Sequence, residues 1–229
     1  MSDYPIEQIR SRFPGLTRRV NGHQAIFFDG PGGSQSPESV GEAVKHYLLH
    51  QNSNVGMSFA TSIETDELIE QTMIACADFL GCSDHREIVF GQNMTSLTIQ
   101  LASALSRTWR PEDEVVVTRS DHDANVRPWV LAAQWSGAKL RWIDIDPVDC
   151  THNIDSIEHN INENTVMVAI GAASNFSGTI NDVKGICSKA HSFGAEVFVD
   201  AVHYAPHALI DVQELGCDYL ACSSYKFFG

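Results

Sequence analysis

Residues 195–226 read AEVFVDAVHYAPHALIDVQELGCDYLACSSYK, and two short apolar runs within them, 196–200 and 219–222, decide the fold. The first is rich in β-branched and aromatic residues and the second is apolar with one aromatic; both are too short for a helix and bounded by polar or turn-forming residues, the pattern of buried strands. The first run ends in Asp200, and the second leads through Ser223, Ser224 and Tyr225 to Lys226. Working outward, the same alternation continues upstream. Strand EIVF (87–90) precedes a helix over Thr95–Thr108, and EVVVT (114–118) precedes one over Arg127–Trp135. KLRWIDI (139–145) is followed by a helix over Ile157–Ile161, and TVMVAIGA (165–172) by one over Val183–Phe193. Strands alternating with helices predict an α/β fold: a mostly parallel, doubly wound sheet with helices on both faces.

Before this region the pattern is less regular. Ile6–Arg12 reads as a short amphipathic helix stopped by Pro14-Gly15, and AIFFDGPGG (25–33) as a short strand entering a tight turn. Ser36 as N-cap and Pro37 in the first turn open a helix through about Gln51. A polar loop then leads to a long helix over Ile63–Leu80. The expected organisation is an N-terminal segment, 1–30, packing on a large domain, 31–229. Nothing after Gly229 closes the sheet, so the chain is expected to be the N-terminal portion of a longer protein.

Composition narrows the function. The 229 residues carry a formal charge of −14 without a basic run, which argues against nucleic acid or an anionic membrane as partner. The 43 % hydrophobic content supports a sizeable core, yet no run approaches membrane-spanning length and the N-terminus lacks an apolar signal region. Six scattered cysteines form no CxxC pair and read as reduced thiols. A cytoplasmic location is expected.

The strand ends carry the chemistry. Parallel strands bring their carboxyl ends to one edge, where ligands bind in α/β sheets. After EIVF, the turn GQNMTSL (91–97) delivers Thr95 and Ser96 to a helix N-terminus, a potential phosphate site. After EVVVT, His122 stands where a flat ring could lie against a cofactor ring, and after TVMVAIGA, Asn175 could donate to a phenolic oxygen. Asp200 is placed to keep a pyridine nitrogen protonated, and His203 follows three residues on. Lys226 completes the set as an amine for a Schiff base. A lysine and an acid so placed are the protein groups that pyridoxal phosphate chemistry requires. A metal held by His203 and His207 with Cys217 or Cys222 is the weaker reading, because Pro206 opposes the helix that would put both histidines on one face.

The segments SNFSGTI (174–180), VDAVHYAPH (199–207), CDYLACSSYKFFG (217–229) and DHDANVRPW (121–129) resemble the class V aminotransferases of fold-type I. They are most similar to the branch of cysteine desulfurases and selenocysteine lyases. That resemblance implies pyridoxal 5′-phosphate bound as a Schiff base to Lys226, Asp200 paired with the pyridine nitrogen, and His122 stacked on the ring. It places Asn175 and His203 near the ring oxygen, gives Thr95, Ser96 and Ser223 the phosphate, and puts Tyr225 in the cofactor site beside Lys226. It further implies a small amino-acid substrate, a homodimer with shared sites, and no metal. His203 stands where desulfurases usually have glutamine, and Tyr225 where they have histidine. NVGMSF (54–59) lacks their usual His-Arg pair. None of the six cysteines matches the family's nucleophile. The implied activity is that of a desulfurase, lyase or aminotransferase. Two other readings stand beside it. One is a catalytically silent fragment that binds the cofactor or dimerises. The other is a nicotinamide-binding domain, disfavoured because no G-x-G-x-x-G follows the first strand.

Overall fold

A computed structural model describes residues 4–229, which fall into two compact units. One gathers the described residues up to Asp78 with Asp84–Ile88 and Ser224–Gly229, and the other holds Phe79–Ser83 and Val89–Ser223. Residue 30 lies inside the first of them.

The first unit contains α1 (Ile6–Arg10), the antiparallel pair β1 (Arg19–Val20) and β2 (His23–Gln24), a 3₁₀ turn at Gly30–Gly32, α2 (Glu38–His50) and most of α3 (Ala60–Leu80). Two expectations are corrected here. Residues 25–29 form no strand: the Ala25 amide still donates to the Arg18 carbonyl at 2.8 Å, but no strand pairs with this stretch among the described residues. Ser36 does not cap α2. Pro37 occupies the N-cap position in extended conformation, and the first helical amide, Glu38 N–H, donates to the Arg12 carbonyl at 2.9 Å. A backbone acceptor from a distant loop thus does the work expected of a side chain.

The second unit is built on β3 (Glu114–Thr118), β4 (Lys139–Ile143), β5 (Thr165–Gly171), β6 (Glu196–Asp200) and β7 (Tyr219–Ala221). They form one parallel sheet in the order β4-β3-β5-β6-β7. Strands β3, β5 and β6 are central and read as continuous apolar runs because helices cover both their faces. On one face, Val115, Val117, Met167, Ala169 and Phe198 pack with Met94 and Ala102 of α4 (Met94–Leu105) and Trp129, Ala132 and Ala133 of α5 (Arg127–Ser136). The alternating residues Val116, Val168, Val197 and Val199 are fully buried on the other, where α6 (Ile154–Asn160) and α7 (Val183–Ser192) pack. The short α8 (Val212–Leu215) lies against α7. The doubly wound α/β architecture is the one the sequence predicts.

Some boundaries differ. EIVF is not a strand: residue 87 ends a 3₁₀ turn, and Val89 and Phe90 are exposed with no neighbouring strand among the described residues to complete a ladder. Helix α6 starts at Ile154, three residues before the expected position, because Asn153 Oδ1 accepts the Ser156 amide at 2.8 Å.

At the amino edge of the sheet, Glu114 is 2 % exposed. Its carboxylate accepts from Arg141 Nη2 at 2.7 Å, Arg141 Nε at 2.9 Å and Asn162 Nδ2 at 2.9 Å. The arginine hydrogen bonds hold its carboxyl below the ordinary carboxylate value. Because its folded pKa is lowered, the pair stabilises the fold above the unfolded value of about 4.5 and loses that contribution as pH falls through the folded value. Arg141→Met leaves the carboxylate buried without its cation and should destabilise by about 2–3 kcal/mol at neutral pH. Denaturant unfolding should show the loss at pH 7 and a smaller one below the carboxylate range; an equal loss at both contradicts this.

Candidate functional site

Pairing in register brings the carboxyl ends of the sheet to a common edge: Gly171 lies opposite Asp200, and Asp200 opposite Ala221. Asp200 is buried at this edge, and its Oδ1 accepts the Val202 amide at 2.9 Å. The Asp200 carbonyl takes the Ala172 amide at 2.8 Å, and the Ala221 carbonyl takes the Ala201 amide at 2.9 Å. The loops leaving β5, β6 and β7 are therefore stitched together beside this acid.

The Ser223 hydroxyl, two residues beyond β7, is buried and accepts the Met94 amide of α4 at 2.9 Å. Its own proton remains available for another acceptor. Asn93, which sequence reading passed over, caps α4 by accepting from Ser96 N–H at 2.9 Å and Ser96 Oγ at 3.2 Å. Ser96 is thus engaged within the turn. Thr95 is exposed, and among the described residues its amide and hydroxyl have no hydrogen-bond partner. A free amide and hydroxyl at the first turn of a twelve-residue helix, with a serine hydroxyl held at the same terminus, form a donor set suited to a phosphate.

His122 and Asn175 line one pocket of about 330 Å³, together with Arg119, Ser120, Asp121 and Ser174. His122 is exposed, and its Nδ1 accepts the Ala124 amide at 3.0 Å, which fixes the ring over its loop. Asp200, Ser223, Thr95 and His203 lie outside this pocket. His203 meets His207 edge-on, with ring centroids 5.3 Å apart. No helix runs through Pro206, as the sequence predicts; the Ala201 carbonyl accepts from both Tyr204 and Ala205, and this turn still brings the two rings together. Among the described residues no cluster of three metal-binding side chains forms around them.

Asp121 is the residue the sequence did not disclose. Its Oδ1 accepts the Gly171 amide at 3.0 Å and its Oδ2 accepts Asn125 Nδ2 at 2.8 Å. Asn125 Oδ1 in turn accepts the indole N–H of buried Trp129 at 3.1 Å. A Cβ on Gly171 would stand 2.9 Å from Asp121 Oδ1, so glycine is what permits this approach. The chain ties the His122 loop to the end of β5. Burial pushes the Asp121 carboxyl up to about 6, against the lowering by its hydrogen-bond donors. Nearby His152, whose Nε2 lies 2.8 Å from Ser120 Oγ, is pushed down to about 4 by burial.

In the first unit, Lys226 is half-buried in the turn Ser224–Lys226. Its Nζ donates to the Pro31 carbonyl and lies 5.1 Å from the centroid of the Tyr225 ring, which is largely exposed.

The family model described as "Aminotransferase class-V" matches residues 26–229, and the chain belongs to that family. The chain is 38 % identical over 225 residues to a "Probable cysteine desulfurase" of Halalkalibacterium halodurans, with 97 % of this chain and 55 % of that protein aligned. It is 35 % identical to an aminotransferase-like protein of Gibberella zeae, covering 100 % of this chain and 56 % of the relative. The apo structure of a cysteine desulfurase from Thermococcus onnurineus superposes with a TM-score of 0.87 at 30 % identity, over 96 % of this chain and 53 % of that one. The chain thus spans about half the length of the relatives it matches.

Because the folded pKa of Asp121 is raised, its contribution to stability is fully present below the unfolded value of 3.8 and is lost as pH rises through about 6. The advantage of the native chain over Asp121→Asn, which keeps His152, should therefore shrink by up to about 3 kcal/mol between pH 4 and pH 7. Denaturant unfolding of both proteins across that range tests this, and a pH-independent difference contradicts it.

Proposed function

We propose that this chain is the cofactor-binding part of a pyridoxal-phosphate enzyme acting on a small amino acid, of desulfurase, lyase or aminotransferase type. The observation that carries the reading is Asp200, a buried acid at the carboxyl edge of a parallel sheet, with an open phosphate-type donor set at the neighbouring α4 terminus. The residues fit the cofactor. Thr95 offers an unpaired amide and hydroxyl, Ser223 an unpaired proton, and Asp200 an acid for a ring nitrogen.

In this reading the bound cofactor supplies an electron-withdrawing ring conjugated to the substrate's α-carbon. Thr95 and Ser223 hold its phosphate, with Ser96 contributing once its hydroxyl turns from Asn93. His122 packs against the ring face, and Asn175 and His203 approach the ring oxygen. Asp200, as a carboxylate, would accept a hydrogen bond from the pyridine N–H and so keep that nitrogen protonated. Lys226, three residues beyond Ser223 in the chain, is the amine that binds the cofactor covalently. Its free form takes the proton from the substrate α-carbon. Tyr225 flanks that amine. A second copy of the chain is the proposed partner, and the proposed setting is the cytoplasm. No described helix is long and apolar enough to cross a membrane.

Purified chain mixed with pyridoxal phosphate should develop a visible absorbance band. Borohydride should fix the cofactor covalently on Lys226, as peptide mass mapping reads, and Lys226→Ala should lose the adduct. A folded native chain without the band, or an adduct spread over other lysines, contradicts the reading.

A further inference from the structure

The turn that carries Lys226 is clamped by a loop almost two hundred residues earlier. Ser34 makes three hydrogen bonds to it. Its amide donates to the Tyr225 carbonyl at 3.1 Å, its hydroxyl donates to the same carbonyl at 3.2 Å, and its Oγ accepts the Phe228 amide at 2.7 Å. The bonds fall on the residue before the lysine and on the residue two after it, so the clamp fixes the backbone on both sides. The loop that provides Ser34 also provides the Pro31 carbonyl, which receives the Lys226 ammonium. Gly33 lies between them at φ +151°, a conformation a side-chain-bearing residue rarely adopts, and a Cβ there would stand 3.8 Å from the Tyr225 carbonyl oxygen. Phe228 packs edge-on against Phe13 with centroids 5.7 Å apart, which anchors the far side of the turn.

We infer that Ser34 is a positioning residue for the Lys226 amine, and that the 30–34 loop keeps that amine hydrogen-bonded to the Pro31 carbonyl until a carbonyl ligand displaces it. The inference rests on the reading of Lys226 as the reactive amine. An amine engaged with a backbone carbonyl must leave it before its nitrogen can attack an aldehyde. Loosening the clamp therefore has two opposite consequences. The amine becomes more available to a small reagent in solution, and it is less well placed for a cofactor that must sit in one orientation.

The experiment compares native chain, Ser34→Ala, Ser34→Thr and the control Ser11→Ala. Reductive methylation with formaldehyde and cyanoborohydride, followed lysine by lysine by mass spectrometry, reports amine availability without any cofactor. Borohydride-fixed pyridoxal phosphate at Lys226 reports placement separately. Ser34→Ala should raise methylation of Lys226 about fivefold, the scale of one net hydrogen bond, while Lys45 and Lys184 stay unchanged. It should also lower the cofactor adduct at Lys226. Ser34→Thr, which keeps the hydroxyl, should restore both, and Ser11→Ala should change neither. Unchanged Lys226 methylation in Ser34→Ala, an equal rise at every lysine, or a Thr variant that behaves like Ala overturns the inference. Native chain that forms no adduct, with the Lys226-specific methylation change intact, contradicts the cofactor reading alone and leaves the clamp supported.

Discussion

Parallel register is the constraint on which the second unit depends. Because β5, β6 and β7 run the same way and pair in register, Gly171, Asp200 and Ala221 end level with one another. Each strand must then hand its chain to a crossover that starts from the same edge, and the loops that leave there crowd together. Their backbone groups bond to one another, as the Ala172 and Ala201 amides do, and leave a few side chains facing outward among them. Asp200 is buried there because its strand is central, and it is tolerated because an amide meets its carboxylate. The two edges of the sheet solve the problem of a buried acid differently. Glu114 at the amino edge has a guanidinium and stays ionised, whereas Asp121 at the carboxyl edge has only neutral donors and is pushed towards protonation. The first is a structural ion pair; the second belongs to the region where ligand chemistry is expected.

Much of this was legible in the residues. Runs 114–118, 165–171 and 196–200 are strands within a residue of where their β-branched content puts them, because a doubly covered strand has no polar face to blur its ends. Asp200 was legible for the same reason, since an acid closing such a run has no other place than the strand's carboxyl end. What failed was what depends on distant partners. EIVF has strand composition but no strand beside it among the described residues, and the Ser36 cap gave way to a carbonyl supplied by Arg12.

The site was legible to a similar degree. His122, Asn175 and Ser223 follow β3, β5 and β7 as their runs predict, whereas Thr95 follows a segment, 87–90, that is not a strand. Asp121 and Ser34 could not be found this way. Asp121 matters through the Gly171 amide fifty residues away, and Ser34 through two backbone groups more than 190 residues away. Neither contact leaves a local pattern, because a backbone amide or carbonyl is the same for every residue type. Ser96 shows the converse. Its type suited a phosphate site, but the neighbouring Asn93 claims its amide and hydroxyl for the helix cap.

The central claim is that Asp200 is the acid that keeps a bound pyridine nitrogen protonated. The direct measurement is the ¹⁵N chemical shift of ring-labelled pyridoxal phosphate bound to the chain, native and Asp200→Asn, at neutral pH. The account predicts a protonated nitrogen in the native chain and an unprotonated one in the variant. An unprotonated nitrogen in the native chain, or the same shift in both, would contradict it.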